Sequence, residues 1–275
     1  MLTPRLTPGA EHGVTLVELV VAMATGVVVT GALLAIVVIS LRQEARITDK
    51  AQADQIGRTA MSNVVDELHS SCTGFGAAAI QGPASTPTSP LAATGPVNLW
   101  FLSAYGGSSS GAAVLSGVTE HDINWTSTGT SDTGETLGTL TDYAFASTGG
   151  ASPKWTFPTL SVANAKARVL AKNVIPPQVS GAATVFQFYK YDNNSASSTD
   201  GQLVALAAGE LPVAQATAEK AQAAAKTLAK VTIGFTQAPE GQDTRIDRTA
   251  SFASAVVLHF DTSETGSEVV NSPCE

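Results

Sequence analysis

The chain has 275 residues, 44% of them hydrophobic and only 14% charged, and carries a formal net charge of −8. That length and apolar content can bury a sizeable core, while the acidic balance is a poor fit to a general phosphate- or nucleic-acid-binding role, which calls for basic patches. Two cysteines without C-x-x-C spacing give no framework for zinc or for a dithiol redox motif.

A short polar leader, Met1 to His12, ends at Gly13, and an apolar run follows as far as Leu41. The uncharged stretch from Leu19 to Leu41 is about 23 residues, a helix of roughly 35 Å, enough for a hydrocarbon core of about 30 Å. One membrane span is predicted. A secretory signal peptide has an apolar region of only about 7 to 15 residues, closed by a small-residue cleavage site. Here the run is longer and polar helix follows it directly.

Glu18 stands near the start of this run. An ionisable residue at membrane depth costs roughly 2.5 to 3.5 kcal/mol on insertion scales, so a partner or a task has to compensate it. One reading is a carboxylate that snorkels to the interface. The other is a carboxylate paired with a cation at its own depth. No proline interrupts the span, and Gly26 and Gly31 are its only weak points for bending. Flanking charge leaves orientation open, because Arg5 and the amino terminus lie on one side and Arg42, Arg46 and Lys50 on the other.

The string G-V-T-L-V-E-L, residues 13–19, resembles the class III signal of type IV pilins and type II secretion pseudopilins: Gly, an apolar residue, Thr, Leu, an apolar residue, Glu. The resemblance implies that a membrane aspartyl prepilin peptidase cuts after Gly13 and methylates the new terminus, Val14. It implies that Glu18 helps draw the subunit into a growing filament. It also implies a cytoplasmic leader and an extracytoplasmic remainder. Two features depart from the family pattern: Val14 stands where Phe or Met is commoner, and the proline of major pilins is missing. The physics of Glu18 agrees with the resemblance. Cleavage creates a positive amine about one helical turn from the carboxylate, and a neighbouring subunit can supply it inside a bundle of apolar helices.

Beyond the span, Arg42 to Ser71 has helical character and no proline, with Ile56, Ala60, Val64 and Leu68 at four-residue steps and Met61 and Val65 beside them. That stripe should pack on a sheet. Gly57 reads as a mild interruption, costing about 1 kcal/mol against Ala if exposed. Cys72 to Pro96, rich in Gly, Pro, Ser, Thr and Ala, reads as a connector.

Strands are predicted at Asn98 to Leu102, Glu120 to Thr126, Leu137 to Phe145, Trp155 to Phe157 and Ala167 to Ile175, the last stopped by Pro176 and Pro177. Val185 to Tyr191 and Gln202 to Leu206 flank D-N-N-S-A-S-S-T-D-G and read as a long hairpin. An alanine-rich helix is predicted from Val213 to Lys230, then strands carrying Val231, Ile233 and Phe235, and Phe252 to Phe260. The fold class is α+β, with an antiparallel sheet against helices. The divisions are leader 1–13, transmembrane half-helix 14–41, extracytoplasmic half-helix 42–71 and globular domain 72–275.

This order, with T-L-T-D-Y-A-F, P-K-W-T-F and I-D-R-T-A-S-F-A-S-A-V-V-L, looks like J-type minor pseudopilins and W-type minor pilins, particularly actinobacterial ones. Those strings encode strands and turns rather than chemistry. A large domain on a single spanning helix also suits a minor subunit better than a major one.

Cys72 and Cys274 can persist as a disulfide outside the membrane, closing a loop of about 200 residues for roughly 5 kcal/mol at most; the alternative is two independent thiols. Gly107, Ser109 and Gly111 fit G-x-S-x-G, but inside G-G-S-S-S-G composition alone makes the match. His69, His121 and His259 lack metal-ligand spacing and read as structural or solvated. Asp192, Asn194 and Asp200 could offer oxygens to calcium without matching an EF-hand.

The expectation is a non-catalytic assembly subunit with no cofactor. Its partners would be other pilin or pseudopilin subunits, the prepilin peptidase, the inner-membrane assembly platform and membrane lipid, with no nucleic acid. The alternative is a membrane-tethered extracellular binding module or hydrolase that keeps its leader.

Overall fold

Nothing in the sequence stops a helix where the apolar run ends, and the chain builds one helix across the change of character. In the computed structural model, which describes residues 14–71, 91, 94–103, 118–151, 154–192, 196–206, 228–241 and 244–257, α1 runs from Leu16 to His69, 54 residues. Several expectations lie outside the described residues. They are the leader with Gly13, the pair Cys72 and Cys274, the 107–111 string, Asn194, His259 and most of the alanine-rich helix. The last three residues of that helix are corrected: Leu228 to Lys230 begin strand β11. The β-branched alternation after Lys230 takes hold earlier than the alanine propensity suggests.

The chain divides into two compact units, Met1–Thr48 and Asp49–Glu275, with the boundary inside α1. In the first, residues 14–48 are all exposed, apolar ones included. Its helix passes the length and hydropathy test for a membrane span.

The second unit holds twelve described strands: β1 (Asn98–Ser103), β2 (Thr119–Thr130), β3 (Thr136–Ala146), β4 (Gly149–Ala151), β5 (Lys154–Thr156), β6 (Lys166–Ile175), β7 (Gln178–Val179), β8 (Ala182–Ala183), β9 (Phe186–Tyr191), β10 (Leu203–Ala205), β11 (Leu228–Gln237) and β12 (Ala250–Val257). Eight form one sheet ordered β1-β2-β3-β6-β11-β9-β10, with β12 on β11, and its pairings are antiparallel. The architecture is α+β, as the sequence predicts. Strand β12 takes one edge of β11, so β9 and β6 share the other, β9 over Leu228–Ile233 and β6 at Thr236 and Gln237. Val185 and Phe186 donate to Pro96 O, and Trp125 donates to Val97 O. These bonds bring the starts of β9 and β1 together and curl the sheet.

One face of the sheet receives α1. Ala53, Gly57, Ala60, Val64 and Leu68 are buried, while Ile56, Met61 and Val65 flank them half-buried. The expected stripe is there, centred on smaller residues. They pack with Leu99, Ile123, Leu140, Phe186, Ile233 and Phe235. The opposite face of β1 to β3 carries a second cluster, Leu91, Trp100, Phe145 and Leu160. Strand β2 is therefore buried on both sides from Glu120 to Trp125.

Gly57 is the point of closest approach rather than an interruption. A β-carbon there would overlap the Phe252 ring of β12. Ala in place of Gly in an exposed helix gains about 1 kcal/mol; at this site overpacking reverses the sign. Gly57→Ala should destabilise the domain by about 1–3 kcal/mol, read as a lower denaturant midpoint for the full chain in detergent. A raised midpoint would contradict the packing.

Candidate functional site

The first described residues place the two predicted positions Val14 and Glu18 at the start of α1. Thr15 precedes the first helical residue, and its side chain and backbone close a reciprocal pair with Glu18. Thr15 N and Thr15 Oγ1 each donate to Glu18 Oε2 at 3.0 Å, while Glu18 N donates to Thr15 Oγ1 at 3.3 Å. This is a capping box, in which a Thr before the helix and a Glu three residues later satisfy each other's amide groups. A helix N-terminus otherwise leaves its first N–H groups without acceptors, which is costly near hydrocarbon. The carboxylate also sits at the positive end of the helix dipole.

Glu18 therefore has a local role beside the one expected from the motif. T-L-V-E spells the T-x-x-E signature, so the sequence itself carries the signal for this cap. Both donors of the box go to Oε2, so among the described residues Oε1 accepts no hydrogen bond. Val14 is exposed. Farther along, Thr25 Oγ1 donates to Val21 O and Ala22 O, and Thr30 Oγ1 donates to Gly26 O. These two hydroxyls are satisfied by their own helix, as a lipid-facing or helix-facing surface demands.

A second polar group lies at the far end of α1. Asp142 of β3 pairs in register with Arg168 of β6 and Ile123 of β2, which puts the carboxylate and the guanidinium on the helix-covered face. Arg168 Nη2 donates to Glu67 Oε1 at 3.0 Å and to Asp142 Oδ2 at 3.2 Å. His121 Nδ1 lies 2.9 Å from Asp142 Oδ1, its Nε2 lies 4.0 Å from Glu67 Oε2, and its ring stacks on Phe101. Ser70 Oγ and Ser103 Oγ are 2.8 Å apart. A His–Asp pair is one half of an acyl-transfer constellation, but among the described residues no hydroxyl hydrogen-bonds Nε2, which is buried without a hydrogen-bond partner. The four side chains bracket the last turn of the helix to three strands. His121 is thus structural and buried, while His69 is exposed at the helix end.

On the opposite face of β2, Asp122 is fully buried and neither carboxylate oxygen has a hydrogen-bond partner. Burial pushes its carboxyl well above the usual carboxylate range. The Asn124 and Asn98 amides, near it but outside hydrogen-bond geometry, oppose that shift, and the charges of Asp142 and Glu120 reinforce it. The expected oxygen donors of the β9–β10 loop behave differently. Asp192 Oδ2 accepts from Thr199 Oγ1 at 2.6 Å, which ties the loop to itself, and Asp200 is exposed. Among the described residues no group of three His, Cys, Asp or Glu could hold a metal ion.

No protein-family model, curated protein or solved structure matches the chain.

The Asp122 shift fixes a pH dependence. A carboxyl whose folded value is raised binds its proton more tightly in the native state, so it costs stability progressively as pH rises above the unfolded value of about 3.9. Asp122→Asn removes that cost while keeping the shape. The variant should match the parent near pH 3 and become more stable by a widening margin toward pH 8, measured as the difference in urea midpoints. A difference independent of pH would contradict a neutral buried acid.

Proposed function

We propose that the chain is a minor pilin or pseudopilin, a non-catalytic assembly subunit of a type IV pilus or type II secretion pseudopilus. In this reading the prepilin peptidase cuts after Gly13, Val14 becomes the methylated amino terminus, and the assembly platform inserts the subunit through α1. The leader lies in the cytoplasm and Asp49–Glu275 outside the cell membrane.

The observation that carries the reading is Glu18: a carboxylate with one oxygen open, on an otherwise apolar and wholly exposed helix face, four residues from the position that processing would turn into an amine. The capping box explains why one oxygen is occupied, and a neighbour's amine would occupy the other. Ala22, Gly26 and Thr30 continue from Glu18 at four-residue steps, and a β-carbon at Gly26 would meet nothing. Small residues of this kind let a second helix approach closely. A single helix of this length lying bare in lipid would satisfy the carboxylate less well than a bundle of such helices.

Expression of the chain with and without a prepilin peptidase, followed by intact-mass measurement, tests the reading. The peptidase should remove residues 1–13 and leave a methylated Val14. An unshifted mass in the peptidase-positive cells would overturn it.

A further inference from the structure

Strand β2 carries Glu120, Asp122 and Asn124 at alternate positions on the face turned away from α1, where a strand buried on both sides ordinarily has apolar residues. All three are buried, Asp122 completely, and the Trp100, Phe145 and Leu160 cluster occupies the same face. From β1, Asn98 stands directly across from Asn124, and Trp100 directly across from Asp122. Asn98, also buried, is therefore diagonal to Asp122 at about 7–8 Å of backbone separation, a gap that two short polar side chains can bridge from either side. Both Asp122 oxygens and Asn98 Nδ2 lack a hydrogen-bond partner. Orphaned buried polar atoms are rare in a native protein, and a bound ion is one of the few causes that account for them.

The donors say which ion. This face offers two acids rather than three, and completes its oxygens with two amides; none of its described residues is a thiol or an imidazole. A side-chain amide turned end for end fills the same volume, so Asn98 can present Oδ1 where Nδ2 now lacks a partner. Carboxylate and amide oxygens together suit a hard cation. Calcium takes about 6–8 oxygens and accepts amide carbonyls among them, whereas magnesium keeps several of its own waters, for which a face packed under aromatic rings leaves little provision. A divalent cation also offsets the repulsion between the Asp122 and Glu120 charges.

We infer that Asp122, Glu120, Asn98 and Asn124 form a buried calcium site that ties β1 to β2 on the face α1 leaves uncovered. The site lies wholly within the second unit and depends on no membrane and no partner chain. Cation and proton are alternative occupants of the Asp122 oxygens, so the neutral acid described above is the cation-free form, and the pH series for Asp122→Asn applies to chelator-treated protein.

Trp100 reports on the site, because it faces Asp122 across the strand pair. The full chain in detergent, stripped with EDTA and returned to chelator-free neutral buffer, is titrated with terbium, a luminescent surrogate for calcium, under tryptophan excitation. Sensitised emission should saturate near one equivalent and be displaced by calcium, and calcium should raise the urea midpoint. Asp122→Asn and Asn98→Ala, one on each strand, should each weaken terbium binding by about tenfold or more. Asp192→Asn, in the β9–β10 loop, should bind as the parent does. A parent that gives no saturable signal and no calcium-dependent midpoint overturns the site without any variant. Parental affinity in a folded Asp122→Asn or Asn98→Ala, or loss of the signal in Asp192→Asn, overturns it as well.

Discussion

One helix has to satisfy two surroundings, and the rest of the structure is arranged around that constraint. Over residues 14–48 every side chain is exposed, and from Leu19 to Leu41 that surface carries no charge and suits lipid or other helices. From Ala53 to Leu68 the same helix buries a narrow stripe of small and medium residues against the sheet. The two carboxylates near its ends are handled according to their position in the helix dipole. Glu18, at the positive end, is stabilised by the dipole and by the Thr15 amide and hydroxyl. Glu67 lies in the last turns, where a negative charge is unfavourable, and Arg168 of β6 supplies the compensating cation.

That compensation also binds the helix to the sheet. Arg168 spans Glu67 and Asp142, and Asp142 holds His121 against Phe101. From Glu120 to Trp125 strand β2 lies between two apolar clusters, so its polar residues there have no solvent face. On the helix side His121 finds Asp142 through Nδ1. On the other side Asp122 finds no hydrogen-bond partner, and the neutral acid is the cheaper state for it.

Much of this was legible in the sequence, for identifiable reasons. Helix α1 carries strong periodic and hydropathy signals with no proline, and its predicted bounds fall within two residues of those observed. Strands β1, β3, β6 and β9 announce themselves by β-branched and aromatic residues between turn signals. Other features depend on tertiary contacts that no local pattern encodes. Gly57 reads as a weak helix residue until Phe252, far along the chain, is laid on it. Alternation along Glu120 to Trp125 looks half-solvated until the Trp100 cluster covers its second face. Strand β11 starts inside a stretch whose alanines favour helix, because pairing with β9 overrides propensity from Leu228 onward. At the candidate site, the acid at the fixed spacing was plain, whereas its partnership with Thr15 needed the T-x-x-E pattern to be read as a cap.

Glu18 thus carries two separable roles, a cap that needs an acceptor oxygen and an assembly contact that needs a negative charge. Glu18→Gln divides them, since Gln serves the capping box as Glu does but cannot pair with an amine as an ion. The direct measurement is incorporation of this variant into filaments or pseudopili in cells that process the chain, scored by co-purification with the other subunits. The ion-pair role predicts normal membrane insertion and normal cleavage after Gly13 with incorporation lost. Incorporation at the parent level would contradict it and leave the cap as the whole task of Glu18.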